Sequence, residues 1–235
     1  MYRKLDPDRI IETARRLAQR VAERFPESGL RRVADDLIEV SERAKGDLAW
    51  VGQPDWPLRI GVGLCIAFLL FVFGVTVLAV LRLPTRVSVT DVVQAIDAGI
   101  NEVVLLGVAI FFLATLEARR KRRRALRAIH ELRSMAHIID MHQLTKDPER
   151  IANPSTGGDT PSSPARQLTP FALSRYLDYC SEMLSLLSKS AALYVQDSGD
   201  PVTMSAVNEV ESLATGLSSK IWQKIMILDQ GLAAD

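Results

Sequence analysis

Three histidines lie close together in the sequence, at His130, His137 and His142. On a helix, His130, His137 and Asp140 fall near one face, and imidazole and carboxylate groups are ligands for zinc and similar ions. Their offsets of three and seven residues do not reproduce a familiar metal-binding spacing, and Cys180 is the only thiol expected outside the membrane. We therefore predict no metal and no other cofactor, and interpret the histidines as flanking a packing stripe. A pH response of these side chains is the alternative.

Six consecutive basic residues form the strongest local charge in the chain. They follow an apolar run closely and are Arg119, Arg120, Lys121, Arg122, Arg123 and Arg124. Because positive residues that flank a membrane span are retained on the cytoplasmic side, this basic cluster is typical of a stop-transfer anchor that sets the topology. The alternative is recruitment of anionic lipid, which is worth about 1 kcal/mol per basic residue near a charged surface. In both interpretations the partner is membrane lipid.

Neither nucleic-acid binding nor catalysis is predicted. The chain has 29 Lys plus Arg against 28 Asp plus Glu, which leaves a formal net charge of +1. A basic cluster held against lipid headgroups offers little free surface to a duplex, and no nucleic-acid motif accompanies it. The sequence also contains no phosphate-binding loop, no GxSxG, no HExxH, no paired cysteines and no dinucleotide glycine motif, so we expect a non-enzymatic protein.

Two acids, Asp97 and Glu102, precede the second apolar run. Acids inside a span often mark ion pathways, so an oligomer would place both at the outer mouth of a pore. In the alternative they lie in the headgroup layer, where acids suit the positive end of the helix dipole. Counting back about 20 residues from Arg119 puts Glu102 at the interface, which favours the headgroup interpretation.

Two apolar segments must position these charges. Ile60 to Leu81 contains no charged residue, and at about 1.5 Å per residue it is long enough for the roughly 30 Å of a bilayer core. We predict transmembrane helix 1 over residues 60–82, after an interfacial linker over 51–59. The second run, Val103 to Leu116, is short. Helical spacing before it and arginine stems after it extend the predicted transmembrane helix 2 to residues 97–118.

The charge distribution predicts that both termini are cytoplasmic. The connection over residues 83–96 is then extracytoplasmic, in a membrane expected to be a bacterial inner (plasma) membrane. The charged start MYRKLDPDR does not resemble a secretory signal peptide. Cys65 in the first span and Cys180 in a polar region are not expected to pair.

The parts outside the membrane are predicted to be helical. Asp6 followed by Pro7, and Thr169 followed by Pro170, are typical helix starts. The periodicity predicts an N-terminal helical hairpin over residues 1–50, a basic helical extension over 119–143 and a C-terminal helical hairpin over 169–230. Residues 144–168 are dense in Pro, Gly, Ser and Thr, which predicts a flexible linker.

The extension carries an apolar stripe. Its members are spaced three and four residues apart and are Ile129, Leu132, Ala136 and Ile139. Such a stripe is stable only when it is buried, either in an intrachain bundle or in coiled-coil-like contacts between protomers. A rod that leaves the membrane exposes its stripe unless neighbours cover it, so we expect a homo-oligomer or a cytoplasmic protein partner there.

Together these patterns predict an all-α fold: a two-span transmembrane helical hairpin with amphipathic cytoplasmic helices. The predicted function is that of a membrane anchor, scaffold or adaptor that presents a helical cytoplasmic assembly. The alternative is a homo-oligomeric ion channel whose second span lines the pore.

Overall fold

A computed structural model describes residues 4–81, 89–148, 162, 168–196 and 199–233. Within these residues the secondary structure is helical and contains no strand, which confirms the all-α prediction. The helices are α1 (Pro7–Arg24), α2 (Gly29–Gly52), α3 (Trp56–Leu81), α4 (Val89–Ala114), α5 (Leu116–Leu144), α6 (Pro170–Ala192) and α7 (Pro201–Ala233). Part of the predicted 83–96 connection and most of the predicted 144–168 linker lie outside the described residues.

The helices belong to two compact units. Unit 1 consists of Met1–Trp50 and Arg124–Asp235, and unit 2 is Val51–Arg123. Unit 1 is therefore built from two pieces of chain that unit 2 separates in sequence.

Helix starts in unit 1 follow the cap-then-proline pattern. The Asp6 side chain accepts a hydrogen bond from the Asp8 amide at 2.9 Å. The Thr169 hydroxyl accepts one from the Ala172 amide at 3.2 Å, and both caps precede a proline in the first turn. Each cap satisfies an amide that has no partner inside its helix. The two predicted helix starts are confirmed.

Unit 1 is a helical bundle with α6 at its centre. The buried side chains of α6, which include Leu173, Leu177 and Leu186, cover about half of its circumference. The helix contacts α1 and α7. On the α1 side, the Phe25 ring meets the Tyr176 ring edge-on at 5.4 Å between centroids. An apolar surface this wide needs more than one neighbouring helix to cover it, which explains the central place of α6.

The stripe on α5 is part of this intrachain core. The exposed fractions of its side chains are 2% for Ile129, 1% for Leu132 and 0% for Ala136 and Ile139. The expectation that the stripe projects from a rod and needs a second chain to cover it was therefore wrong in its premise, because the chain's own helices cover it. Self-association stays a prediction, without this argument for it.

Unit 2 has the opposite distribution of apolar side chains. Helices α3 and α4 contact each other, yet none of their described side chains is buried. Two helical stretches are long and apolar enough to cross a membrane. The first lies within Gly29–Leu78, and its uncharged residues belong to α3. The second is Ile96–Ala114 in α4. The apolar side chains of these helices have no protein core to enter.

A turn residue separates α4 from α5. Thr115 lies between them, and its hydroxyl donates to the carbonyls of Phe111 at 2.9 Å and Phe112 at 3.1 Å. Backbone hydrogen bonds continue across it, from the Thr115 amide to Phe111 and from the Arg119 amide to Thr115. This back-bonding bends helices without ending them, so the apolar helix and the basic helix meet at Thr115.

Candidate membrane-interface site

The charged groups that flank the two apolar helices form one network within unit 2. Glu117, just after α4, accepts from Arg59 near the start of α3, at 2.7 Å from Nε and 3.3 Å from the terminal nitrogen. Two hydrogen bonds from one guanidinium group to one carboxylate make a strong and directional pair. The Lys121 ammonium lies 2.9 Å from the same carboxylate.

A second ion pair joins the start of α3 to the segment after α4. Arg120 donates to the Asp55 carboxylate at 2.8 Å, and Lys121 donates to the backbone carbonyl of Gln53 at 2.8 Å. The side chain of Asp55 is only 17% exposed. The start of α3 is therefore joined to the segment after α4 by three basic residues, two carboxylates and one carbonyl.

The rest of the basic cluster is also engaged within the protein. The Arg119 guanidinium carbon lies 4.9 Å from the centroid of the Phe112 ring, a cation–π contact that keeps the charge at the end of the apolar helix. Arg122 and Arg123 make further interactions. The sequence identified the basic residues but missed their acidic partners Asp55 and Glu117. The available signal was one acid just before the first apolar run and one just after the second.

Arg124 belongs to unit 1 and makes different contacts. Its Nε donates to Asp47 at 2.7 Å, and its guanidinium carbon is 4.5 Å from the centroid of the Trp50 ring. The Tyr194 hydroxyl donates to the other oxygen of Asp47 at 3.3 Å. Burial, followed by the negative charge of Asp47, raises the pKa of Tyr194 above its usual range. This cluster joins α2, α5 and the end of α6.

The two predicted pore-mouth acids are in different environments. Asp97 is exposed, whereas Glu102 is partly buried and lines a groove of about 530 Å³ between α3 and α4. Phe73, Thr76 and Val77 supply the α3 side of that groove. Residues five positions apart lie on different faces of a helix, so the structure does not bring the two acids together.

The histidines do not assemble a metal site. His130 and His137 are exposed, and the described part of the chain contains no group of histidine, cysteine and acidic side chains that could hold a metal ion. His142 instead packs against the start of α2, where a Cβ built on Gly29 would lie 2.5 Å from its Cε1. Burial, then the charges of Arg32 and Lys146, lower the pKa of His142.

A lysine closes the end of α5. The Lys224 ammonium on α7 donates to the carbonyls of Gln143 at 2.9 Å and Lys146 at 3.1 Å. The last carbonyls of a helix lack partners within it, and a cation there also suits the negative end of the dipole. Burial lowers the pKa of Lys224 and raises the pKa of the neighbouring Cys180 thiol to about 12.

No protein-family model matches this chain, and neither a curated protein nor a solved structure is significantly similar to it.

Proposed function

We propose that this protein is an integral membrane anchor that uses a two-span helical hairpin to hold its helical bundle at the membrane. The proposal rests on one contrast. The bundle has an apolar core of its own, whereas neither of the two apolar windows in unit 2 is buried. Contiguous exposed apolar surface on this scale is incompatible with water but suits lipid, in which a helix satisfies all its backbone groups internally.

The polarity of the hairpin follows from its flanking charges. The six basic residues of the cluster lie at the end where Arg59 and Glu117 also meet. Basic residues next to a span favour the cytoplasmic side, so the proposal places both termini there, in a membrane of the bacterial inner (plasma) type. The Arg59–Glu117 and Arg120–Asp55 pairs then lie at the cytoplasmic surface, where they clamp the two spans at one end.

The proposed role outside the membrane is that of a non-enzymatic scaffold or adaptor. The bundle surface has exposed apolar side chains, among them Met141 and Leu144 on α5 and Trp222 and Met226 on α7. Scattered apolar residues are normal on a surface, but Trp and Met are enriched where proteins meet. They support a cytoplasmic protein partner or a second copy of the chain as the component that is held.

Membrane extraction and site-directed labelling test the proposal. The protein is expected to stay in the pellet after alkaline carbonate washing and to need detergent for release. In a background that carries both C65S and C180A, single cysteines at Ser134 and at residue 85 should label from opposite sides of sealed vesicles. Recovery of the chain in the soluble fraction, or labelling of both positions from the same side, would contradict the two-span topology.

An ion channel is a second candidate, favoured by Glu102, a partly buried acidic residue that lines the groove between the two apolar helices. Two spans cannot enclose a pore, so this function needs several copies. Reconstituted protein should then give a selective ion flux that Glu102→Gln changes and Asp97→Asn, at the exposed acid, changes less. Absence of flux, or a monomeric particle in detergent, would remove the channel candidate and leave the anchor intact.

A further inference from the structure

A cleft of about 580 Å³ opens in unit 1 between the end of α1 and the start of α6. Its volume lies within the range of roughly 300–1,000 Å³ that is typical of small-molecule sites. The residues that line it are Arg20, Glu23, Arg24, Phe171, Arg175 and Tyr179. None of them takes part in the network that flanks the apolar helices.

In this cleft, three guanidinium groups make cation–π contacts with two aromatic rings. The guanidinium carbons of Arg20 and Arg175 each lie 5.6 Å from the centroid of the Tyr179 ring. They are therefore no farther apart than twice that distance. The guanidinium carbon of Arg24 is 5.3 Å from the centroid of the Phe171 ring.

Neighbouring acids hold two of these arginines in place. Arg20 pairs with Glu182, and Arg175 pairs with Asp178 at 2.9 Å. A guanidinium group has five N–H donors, so one carboxylate partner fixes its position and leaves donors for a ligand. Arg24 pairs with no carboxylate in the part of the chain that the structure describes, so all of its N–H donors are available to an anion.

The remaining lining groups favour a ligand with a flat, hydrogen-bonding ring. The Phe171 side chain is 65% exposed, although it starts a helix whose other face forms the core. A solvent-facing ring next to an arginine is a stacking platform for a planar base. The exposed carboxylate of Glu23 receives one hydrogen bond, at 2.9 Å from Gln19, and keeps acceptor capacity for N–H groups of such a base.

The cleft lies far from the residues at which the chain leaves unit 1. The chain leaves unit 1 next to Trp50 and Arg124, which contact each other. The cleft lies at the other end of α2, beside the turn that joins α1 to Gly29. Helix α2 has 24 residues and is therefore about 36 Å long, so the cleft is about one helix length from the exit point.

We propose that this cleft binds a soluble nucleoside polyphosphate. Arg24 and Arg175 contact the phosphates, because guanidinium groups match phosphate oxygens in pairs. Arg20 adds charge beside them, Phe171 stacks on the base, and Glu23 accepts hydrogen bonds from its N–H groups. This gives the bundle a ligand-binding role in addition to the proposed anchoring role.

Equilibrium dialysis of the full-length protein in zwitterionic detergent tests the site, with GTP and inorganic tripolyphosphate as probes. We expect saturable binding of one GTP per chain, and Arg24→Gln should weaken it about tenfold because one charged phosphate contact is lost. Arg133→Gln is the matched control. Arg133 is an exposed arginine of α5, paired with Glu209 at 3.1 Å and outside the cleft. It should leave GTP affinity unchanged.

The base contact is tested separately with Phe171→Ala. This change should weaken GTP binding about tenfold and leave tripolyphosphate binding as it was, because only the nucleotide stacks. Binding of tripolyphosphate as tight as that of GTP would overturn the nucleoside assignment.

Absence of saturable GTP binding up to about 1 mM, or equal losses in the Arg24→Gln and Arg133→Gln variants, would overturn the site. The altered side chains lie on the surface, and circular dichroism verifies folding. Because the assay reads ligand and not lipid, its failure is distinct from failure of the anchor proposal.

Discussion

Units 1 and 2 are both built from helices, but they place apolar side chains in opposite ways. In unit 1 each helix has an apolar stripe, and the stripes meet in one core around α6. In unit 2 the apolar residues surround α3 and α4, and they remain on the outside. The same backbone geometry therefore carries two distributions of apolar side chains, of which the second suits lipid in the proposed anchor. The distribution of apolar residues around each helix, and not their number, tells which solvent it meets.

The largest expected effect concerns the stripe that was predicted to contact a second chain. Leu132→Ala should lower the free energy of unfolding of unit 1 by about 2–5 kcal/mol, because it leaves a cavity at a side chain that is 1% exposed. Met141→Ala on the same helix, at an exposed side chain, should change it by less than about 0.5 kcal/mol. Denaturant unfolding followed by circular dichroism measures both. An effect of Leu132→Ala that depends on protein concentration would point instead to an interface between chains.

A pair of arginine substitutions distinguishes the two solvents directly. Phe68 on α3 and Met141 on α5 have similar exposed fractions, 64% and 69%. Phe68→Arg should disfavour insertion by about 2.5–3.5 kcal/mol, because an arginine must enter the hydrocarbon layer. Met141→Arg should be tolerated in water. The fraction of each variant that resists carbonate extraction measures the difference, and an equal response of both variants would contradict the distinction between the units.

Two glycines of α2 sharpen the description of the bundle. Gly29→Ala should cost about 1–2 kcal/mol, because its Cβ would overlap the His142 ring and force a displacement in a packed region. Gly46 has nothing within 4 Å of the corresponding position, so Gly46→Ala should stabilise the helix by about 0.5–1 kcal/mol. Thermal melts of the two variants, compared with the parent protein, should shift in opposite directions. A gain of stability for Gly29→Ala would mean that the contact with His142 is not maintained.

The smallest expected effect is a pH dependence that belongs to unit 1. The pKa of His142 is lowered from 6.5 by burial and by Arg32 and Lys146, so the unfolded chain binds a proton more readily than the folded one. The contribution of His142 to stability is therefore fully present above pH 6.5 and is lost as the pH falls below that value. Melting temperatures at pH 7.5 and pH 5.5 should differ less in His142→Gln than in the parent. In His137→Gln, at an exposed position, the difference should be unchanged.

Periodicity and cap signals predicted the bundle helices well because they act locally. Asp6 with Pro7 and Thr169 with Pro170 mark helix starts that the structure confirms. The helix that covers a stripe cannot be predicted in this way. Nothing in the spacing of Ile129 and Leu132 tells whether the covering helix comes from the same chain. That depends on long-range packing in the core of unit 1, which local patterns do not contain.

The candidate sites show the same division between local and long-range information. The basic cluster is a run in the sequence and was found, whereas Asp55 and Glu117 become its partners only when α3 and α4 lie side by side. The arginine-lined cleft was missed because Arg24 and Phe171 are far apart in the chain and each looks ordinary alone. Charge runs can be read from sequence, but sites assembled across helices need the fold.

Unit 1 is built from two separate pieces of the chain, so its core cannot be completed until the second piece has been synthesised. Ser41 on α2 meets Ser190 on α6 at 3.3 Å between hydroxyl oxygens, and the two are 149 positions apart. Translation at about 5–20 residues per second separates their appearance by roughly 7–30 seconds. During that interval the first two helices have been made without the central helix that covers them, while the apolar segments leave the ribosome. The apolar stripes of the first two helices therefore lack their cover during this delay. A codon change that slows translation after Arg124 would lengthen the time for which these stripes are exposed to aggregation and proteolysis.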